Sequence, residues 1–214
     1  NNIIDTLFAS NMGSLSSFNL NNNDFDALIM HNVNLSSISC ANSSLNYLEI
    51  SGSSLNSLNC SNNALTNLDV SGATNLTFLT CYSNQLTSLD VSQNTALTTL
   101  SCYSNQLTSL DVSQNTALTT LDCHSNQLIN LDLSNNVLLQ SLDCRYNYSF
   151  QNLDLSNNTG FSQFRGDQST YVDIRSCNGV NVILDNSSFT SIYLDYNNII
   201  DTLFASNMGS LSSF

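Results

Sequence analysis

Six of the seven cysteines recur at almost constant spacing and are the first candidates for chemistry. They are Cys40, Cys60, Cys81, Cys102, Cys123 and Cys144, and the last four intervals between them are identical. A metal site would need C-x₂-C pairs or histidine partners, and neither occurs. If each interval is one turn of a repeat, neighbouring thiols lie ~4.8 Å apart with parallel side chains, which does not suit a disulfide. We therefore expect a ladder of buried free thiols (the Cys ladder), with Cys177 out of register.

A second regular series is acidic, with each carboxylate between two apolar residues: Asp69, Asp90, Asp111, Asp132 and Asp154 (the Asp ladder). Like charges ~4.8 Å apart repel by roughly 1–3 kcal/mol per pair. Neighbouring Ser and Thr hydroxyls, raised carboxyl pKa values or bound cations could offset this repulsion. The G-G-x-G-x-D calcium pattern is absent, so we expect no cofactor and at most weakly bound Ca²⁺ or other cations. The same repulsion predicts that salt, divalent ions and mild acid stabilise the fold.

A third series follows the cysteines directly, at Tyr82, Tyr103, His124 and Arg145 (the Tyr–His–Arg row). A parallel row on the same face consists of Phe78, Thr99, Thr120 and Ser141. Aromatic side chains with a polar edge are frequent in binding surfaces, including surfaces for sugars. We therefore predict a ligand face at Phe78, Tyr82, Tyr103, His124 and Arg145, with a solvated, self-stacking stripe as the alternative.

The composition argues against several classes of function. The chain has 16 acidic residues against three Arg and no Lys, a formal charge of −13, so we expect no nucleic-acid partner. No apolar run approaches the ~18 residues of a membrane span, and no signal peptide is visible. The two histidines, His31 and His124, lie far apart in the sequence, and no paired carboxylates or phosphate-binding glycine loop stand out. We therefore predict that the protein is not an enzyme.

An internal repeat must position these residues. Residues 81–100 and 102–121 have the same sequence, and each 21-residue unit has two halves of the form L-x-x-L-x-[CVLI]. The alternation predicts a short strand in each half, and the following Asn, Ser, Gly and Gln predict turns. Such units form the coils of a β-solenoid, which bury their leucines against one another. We predict an all-β, right-handed solenoid of about ten coils in one continuous domain, 1–214.

Asparagines mark the corners of the predicted coils. Asn84, Asn105, Asn126 and Asn147 (the Asn ladder) recur with the same period as the cysteines, and Asn94 and Asn115 share that spacing. An amide at a corner can donate to and accept from backbone groups of its own and the next coil, so we expect a structural role.

A longer duplication links the two ends of the sequence. Residues 1–18, NNIIDTLFASNMGSLSSF, recur identically as 197–214, an offset of 196 positions. The sequence is a slice of a protein with that period, or the overlap arose when the chain was delimited, or the segment is a natural flanking module. The first interpretation predicts covalent tandem copies or head-to-tail self-association. The half-coils from Ile4 to Ile200 number 19, so either the copies lie on opposite sides of the solenoid or the count fails within 171–200.

The segment L-x-x-L-x-C-x-x-N-x-L resembles the consensus of leucine-rich repeats, as in Leu97, Leu100, Cys102, Asn105 and Leu107. The 21-residue length, the cysteine in a core leucine position and the following L-D-V-S-x-N are similar to internalins and related bacterial surface proteins. The similarity is close over 55–159 and loose elsewhere. It implies a leucine-rich-repeat solenoid from an extracellular, surface-attached adhesion protein without enzymatic activity. It also implies that the Tyr–His–Arg row lies on the strand face, the usual ligand surface of that family.

Three functional hypotheses follow from these observations. The first is a structural or adhesion protein, part of a long bacterial adhesin, stalk or extracellular filament. The second is a module that binds a glycan or a host protein through the predicted ligand face. The third and weakest is an ice-binding solenoid, because Thr87, Thr98, Thr108 and Thr119 form partly regular rows that break at Ile129 and Gln140.

Overall fold

The chain folds as an all-β solenoid of leucine-rich-repeat type, which confirms the predicted fold class. The computed structural model describes residues 5–11, 15–31, 33–51, 54–147, 152–155, 157–160, 163–166, 171–173, 180–185, 191–193 and 200–206. No helix occurs in this described part, so it contains none long and apolar enough to cross a membrane.

Ten parallel strands form the main sheet, which runs along one side of the solenoid. With strands numbered in chain order, its members are β2 (Ser17–Asn19), β4 (Ser37–Ser39), β6 (Ser57–Asn59), β7 (Phe78–Thr80), β8 (Thr99–Ser101), β9 (Thr120–Asp122), β10 (Ser141–Asp143), β12 (Gln163–Gly166), β14 (Val180–Asp185) and β16 (Ile200–Ser206).

The other half of each coil forms a second side, with a shorter sheet towards each end. The N-terminal side sheet consists of β1 (Thr6–Ser10), β3 (Ala27–His31) and β5 (Tyr47–Ile50). The C-terminal side sheet consists of β11 (Asn152–Asp154), β13 (Tyr171–Asp173) and β15 (Ser191–Tyr193). Between them the half-coils are joined by single backbone bonds, such as Gln106 N to Leu86 O at 2.8 Å.

The five consecutive main-sheet strands β6 to β10 each place one leucine in the core. Leu58, Leu79, Leu100, Leu121 and Leu142 share one register row and are at most 1% exposed. Their neighbours in each strand point outward, which explains why such short strands suffice. A single coil cannot enclose its leucines, so the fold depends on contact between successive coils.

The Cys ladder lies in the same core. Its six thiols are at most 3% exposed, and all are free. Burial raises the pKa of the Cys102 thiol, for example, to about 12. These thiols act as small apolar side chains, because a neutral thiol is a poor nucleophile and a weak hydrogen-bonding group. Cys177 falls outside the described residues.

The Asn ladder closes the corner after each of the four main-sheet strands β7 to β10. Asn105 Nδ2 donates to Cys102 O at 3.0 Å and, one coil earlier, to Cys81 O at 3.1 Å. Its Oδ1 accepts from Leu86 N at 3.0 Å. The same three bonds recur at Asn84, Asn126 and Asn147. On the opposite corner, Asn94, Asn115 and Asn136 each donate twice to carbonyls of the preceding coil.

A left-handed residue precedes each member of the Asn ladder. Ser83, Ser104, Ser125 and Tyr146 have φ values of 52°, 53°, 54° and 58°. This conformation turns the chain sharply after the strand, so that the asparagine amide enters the core. It costs a residue with a Cβ about 1–2 kcal/mol, which the buried amide bonds must offset.

The two copies of the duplicated sequence lie in different sheets. Thr6–Ser10 forms β1 in the N-terminal side sheet, where Leu7 pairs with Leu28. The identical residues 202–206 belong to β16 in the main sheet, where Leu203 pairs with Val182. This placement agrees with the odd number of half-coils between the copies.

Candidate functional site

The Tyr–His–Arg row begins as a continuous stack of rings. The Tyr82 and Tyr103 rings are 4.3 Å apart and 7° from parallel, and Tyr103 and His124 are 4.3 Å apart and 12° from parallel. Each ring follows a core cysteine directly in sequence, so the coil spacing itself sets the stacking distance. All three rings are partly exposed, and they form a narrow ridge beside the main sheet.

Arg145 ends this row with an ion pair. Its Nε donates to Asp143 Oδ1 at 3.0 Å and its Nη2 to Asp143 Oδ2 at 2.8 Å, which is the bidentate geometry that favours arginine. The guanidinium also lies 5.6 Å from the centre of the Tyr146 ring.

Two outward rows of the main sheet lie next to the ridge. The first contains Phe78, Thr99, Thr120, Ser141 and Gln163, and Phe78 is 51% exposed. The second changes character along the solenoid, in the order Thr80, Ser101, Asp122, Asp143 and Arg165. The face therefore passes from hydroxyl groups near Phe78 to charged groups near Arg145.

The predicted ligand face did not include three of these charged residues, Asp122, Asp143 and Arg165. Asp122 lies 2.5 Å from His124 Nδ1, and Asp143 Oδ2 lies 3.9 Å from Arg165 Nη1 in addition to its bonds with Arg145. A signal for the two aspartates was present in the sequence, since each replaces the Ser or Thr that precedes the cysteine in earlier coils. Arg165 pairs in register with Asp143 across an irregular stretch, where the coil is one residue longer than the regular repeat.

Asp122, His124 and Asp143 also bring three potential metal-ligand atoms within 4.8 Å of one another. However, both Asp143 oxygens accept hydrogen bonds from Arg145, and His124 Nδ1 bonds to Asp122. A cation would compete with a guanidinium for the same carboxylate, so the arrangement fits an ion-pair network better than a metal centre.

The Asp ladder lies on the other side of the coils, and its carboxylates are exposed. Asp111 Oδ1 accepts a hydrogen bond from Ser113 N at 2.9 Å, and Asp69, Asp90 and Asp132 make the equivalent bond. Hydrogen bonds from the serine backbone and hydroxyl lower the pKa of Asp111. The pKa values of Asp69, Asp90 and Asp132 are lowered in the same way. Serine contacts thus offset the repulsion, which is the first of the three alternatives given above. The second alternative, raised carboxyl pKa values, is wrong for these four residues, and with it the basis for stabilisation by mild acid. Asp154 is exposed in β11.

His31, the other histidine, belongs to a separate cluster on the N-terminal side sheet. Glu49 accepts from Tyr47 Oη at 2.7 Å and lies 2.7 Å from His31 Nε2. These hydrogen bonds, first that of Tyr47 and then that of His31, lower the pKa of Glu49. His31 thus lies in the N-terminal side sheet and His124 lies just after β9 of the main sheet, each beside a carboxylate.

No family model and no curated protein matches the chain, but solved structures do. The functional domain of InlJ from Listeria monocytogenes, which includes a cysteine ladder, is 28% identical with a TM-score of 0.63. That match covers 89% of this chain and 52% of the InlJ structure, so the chain spans about half of its length.

Two more distant structures share the fold alone. The leucine-rich-repeat ectodomain of the receptor kinase GASSHO1/SCHENGEN3 from Arabidopsis thaliana, solved with CASPARIAN STRIP INTEGRITY FACTOR 2, is 21% identical with a TM-score of 0.57, covering 86% of this chain and 28% of that one. A leucine-rich-repeat protein of Leptospira interrogans is 16% identical with a TM-score of 0.51, covering 88% and 71%. In its solenoid fold and its ladder of buried thiols, the chain has the leucine-rich-repeat fold and is similar to the bacterial internalins.

Proposed function

We propose that the chain is a non-enzymatic adhesion module of a bacterial cell-surface protein, and that its main-sheet face binds a protein or glycan ligand. The observation that carries this proposal is the ring stack of Tyr82, Tyr103 and His124 beside exposed Phe78. Rings with both an apolar face and polar atoms can pack on sugar rings or on apolar side chains while bonding to their polar groups. The extracellular location is inferred from the internalin resemblance.

Other features of the face support binding. Backbone hydrogen bonds to the preceding coil hold Tyr82, Tyr103 and His124 in place, so little conformational entropy is lost when a partner binds. The adjacent Asp143, Arg145 and Arg165 provide donors and acceptors for a polar partner. The Arabidopsis receptor ectodomain, solved with a protein partner, shows that a solenoid of this fold can serve as a binding module.

Two matched variants test the proposal. Phe78→Ser and Ile129→Ser each remove an apolar side chain of similar exposure, 51% and 56%, but Ile129 lies on the opposite half-coil. The immobilised chain would be screened against a glycan array and against intact host cells. We expect Phe78→Ser to weaken binding about tenfold and Ile129→Ser to leave it unchanged. Equal losses would refute the face assignment, and no binding to any probe would refute the proposal.

A second candidate function is a stalk or filament built from copies of this chain, in covalent tandem or head to tail. The identity of residues 1–18 and 197–214 favours it, since tandem units would repeat such a sequence. Light scattering over a concentration series, with electron microscopy, would test self-association.

The ice-binding alternative has weaker support. The Thr98 and Thr119 hydroxyls donate to carbonyls of the preceding coil, Thr77 O at 3.1 Å and Thr98 O at 3.0 Å. Two of the four threonine hydroxyls in the predicted rows are therefore hydrogen-bonded to backbone carbonyls. A thermal hysteresis measurement would detect ice binding directly.

A further inference from the structure

A step in side-chain size crosses the main sheet between the coils of β6 and β7. On the β6 coil, three positions carry small polar side chains, which are Ser57, Asn59 and Ser61. On the β7 coil, the same positions carry two large rings around a hydroxyl group, which are Phe78, Thr80 and Tyr82. Register fixes this correspondence, because β6 and β7 pair with Ser57 opposite Phe78. The hydrogen bond from Asn62 N to Tyr82 O, 2.9 Å long, places Ser61 beside Tyr82.

We propose that this step seats a neutral oligosaccharide, whose sugar rings pack against Phe78 and Tyr82 while its hydroxyl groups bond to the preceding coils. The proposal rests on the proposed function and narrows it, because it names one class of ligand and one part of the main-sheet face. A protein partner or an anionic glycan on the same face would give different results in the experiment described below.

Phe78 and Tyr82 form two walls for a ligand. Phe78 is 51% exposed, and one face of the Tyr82 ring stacks on Tyr103 with 4.3 Å between the ring centres. Because the stack runs along the solenoid axis, the other face of Tyr82 points to the preceding coil, where Ser61 is too small to cover it. The C–H groups of a sugar are slightly positive and pack on the negative face of such a ring. Four residues of extended chain separate the walls by ~13 Å, which leaves space for a sugar above Thr80.

The coils before the step provide hydrogen-bonding groups for the sugar hydroxyls (the polar floor: Ser37, Ser57 and Asn59). Ser37 lies opposite Ser57 in the main sheet, and both side chains are partly exposed. Within the described residues, neither hydroxyl group has a hydrogen-bond partner. Asn59 is held in place because its Oδ1 accepts from Ser61 N at 3.1 Å and from Ser61 Oγ at 2.7 Å. Its amide N–H groups therefore remain for a ligand, and sugar hydroxyls can both donate to and accept from this floor.

The lack of charge around the step selects the class of ligand. In the described main-sheet strands from β2 to β8, the outward residues are uncharged: Ser17, Asn19, Ser37, Ser39, Ser57, Asn59, Phe78, Thr80, Thr99 and Ser101. The first charged residue in these rows is Asp122, two coils after Phe78. An anionic glycan would find no counter-charge beside the rings, and the net charge of −13 would repel it. The polar floor also differs from the apolar centre of a typical protein interface.

Two substitutions disturb this seat without removing a ring. Ser57→Phe fills the step with a third ring. Asn59→Asp keeps an oxygen that accepts from Ser61, but it replaces the free donor and adds a negative charge. The matched controls Ser88→Phe and Asn130→Asp make the same changes at exposed positions of the side half-coils.

The full chain and the four variants would be applied to an array of neutral oligosaccharides and their sialylated or sulfated counterparts. We expect the wild type to bind neutral glycans and to bind the anionic counterparts at least about tenfold more weakly. Ser57→Phe and Asn59→Asp should each weaken binding about tenfold, and both controls should bind like the wild type. Circular dichroism would verify that each variant keeps the wild-type fold. Binding to intact host cells should be lost after mild periodate oxidation of their glycans and retained after sialidase treatment.

Other results would overturn the proposal in distinguishable ways. Cell binding that survives periodate but is weakened by Phe78→Ser would overturn the glycan and retain a ligand on the face, namely a protein. Equal or tighter binding of the anionic glycans would overturn the neutral class. Equal effects of Ser57→Phe and Ser88→Phe would overturn the seat at the step, whereas the face assignment depends on the comparison of Phe78→Ser with Ile129→Ser. No binding to any probe would overturn this site and the proposed function together.

Discussion

The side chain of Asn105 accepts a hydrogen bond from the backbone of Leu86 at 3.0 Å, although the two residues belong to successive coils. The same amide donates to Cys81 and Cys102, so one side chain satisfies backbone groups of two coils. These groups lie in the apolar interior, where a lost partner cannot be replaced by water.

Replacement of Asn105 by Ala should lower the free energy of unfolding by about 2–4 kcal/mol, because the buried Leu86 N–H and two carbonyls lose their partner. The neighbouring Gln106 is exposed, so Gln106→Ala should change stability by less than about 0.5 kcal/mol. Urea unfolding followed by circular dichroism measures both. Equal effects for the two variants would contradict the structural role of the Asn ladder.

Thiol reagents at pH 8 should label none of the six Cys-ladder residues in the native protein and all of them in denaturant. Burial protects these thiols and raises the pKa of Cys40 and Cys102 to about 12. Cys102→Ala should cost about 1–2 kcal/mol through a small cavity. Rapid native labelling of two or more of them, located by peptide mass spectrometry, would contradict the core assignment.

The Asp ladder should make the protein less stable in acid. The folded-state pKa values of Asp69, Asp90, Asp111 and Asp132 lie below the ordinary value of 3.8. The stability that each ionised carboxylate contributes is therefore complete above pH 3.8, and it is lost as the pH falls through the folded-state pKa. Thermal melts between pH 2 and 6 should show this loss.

Two variants at position 111 separate charge from hydrogen bonding. Asp111→Asn keeps an acceptor for Ser113 N but loses the charge that strengthens this bond, so its stability at pH 7 should be slightly lower than that of the wild type. Asp111→Ala loses the acceptor and should be less stable. A large loss in the Asn variant would instead indicate that Asp111 binds a cation.

The central ring of the stack should ionise only in strong alkali. Desolvation first, and then the charge of Tyr82 and its hydrogen bond, raise the pKa of Tyr103 to about 12. Because the folded-state pKa is raised, the contribution to stability is complete below pH 10 and is lost as the pH rises through about 12. When the tyrosines are titrated by absorbance at the tyrosinate band, the Tyr103→Phe variant should lack one late step that the wild type shows. A late step that persists unchanged in Tyr103→Phe would contradict its assignment to the ring stack.

Ser104 adopts a left-handed φ of 53°, which glycine accepts without steric cost. Ser104→Gly should therefore be neutral or stabilise the protein by up to about 1 kcal/mol, and Ser104→Val should destabilise it by at least that amount. Chemical denaturation of the pair checks the sign. A stabilising valine would show that the corner can adopt another conformation.

The repeat was sufficient to predict the coils, because the recurring L-x-x-L-x-[CVLI] pattern leaves few alternatives for which side chains face inward. The 21-residue period alone was enough to predict the ladders of cysteine and asparagine. The left-handed conformation of the serines was harder to predict from the sequence. Serine has no strong preference for that conformation, and only the packing of the next asparagine requires it.

The charged end of the predicted ligand face shows which contacts the repeat alone could not predict. Asp122 and Asp143 appear in the sequence as departures from Ser101 and Thr80, but their pairing with His124 and Arg145 depends on side-chain conformation. Arg165 joins them only because one coil contains an extra residue, and a fixed period places it elsewhere. The carboxyl pKa directions depended on individual hydrogen bonds to serine, which repulsion between like charges does not predict.

The arrangement of charge also affects how the molecule approaches other surfaces. The chain carries a net charge of −13, yet Arg145 and Arg165 lie together on the main-sheet side while the Asp ladder lies opposite. A polyanionic cell envelope repels such a molecule as a whole. Within a screening length of ~8 Å, the field of the envelope also exerts a torque on the molecule, because the charge of the molecule is unevenly distributed. That torque would turn the ring stack towards the envelope, so electrostatics would orient the side that we propose to bind a ligand before any contact forms. Raising the ionic strength removes this orientation while leaving short-range packing unchanged.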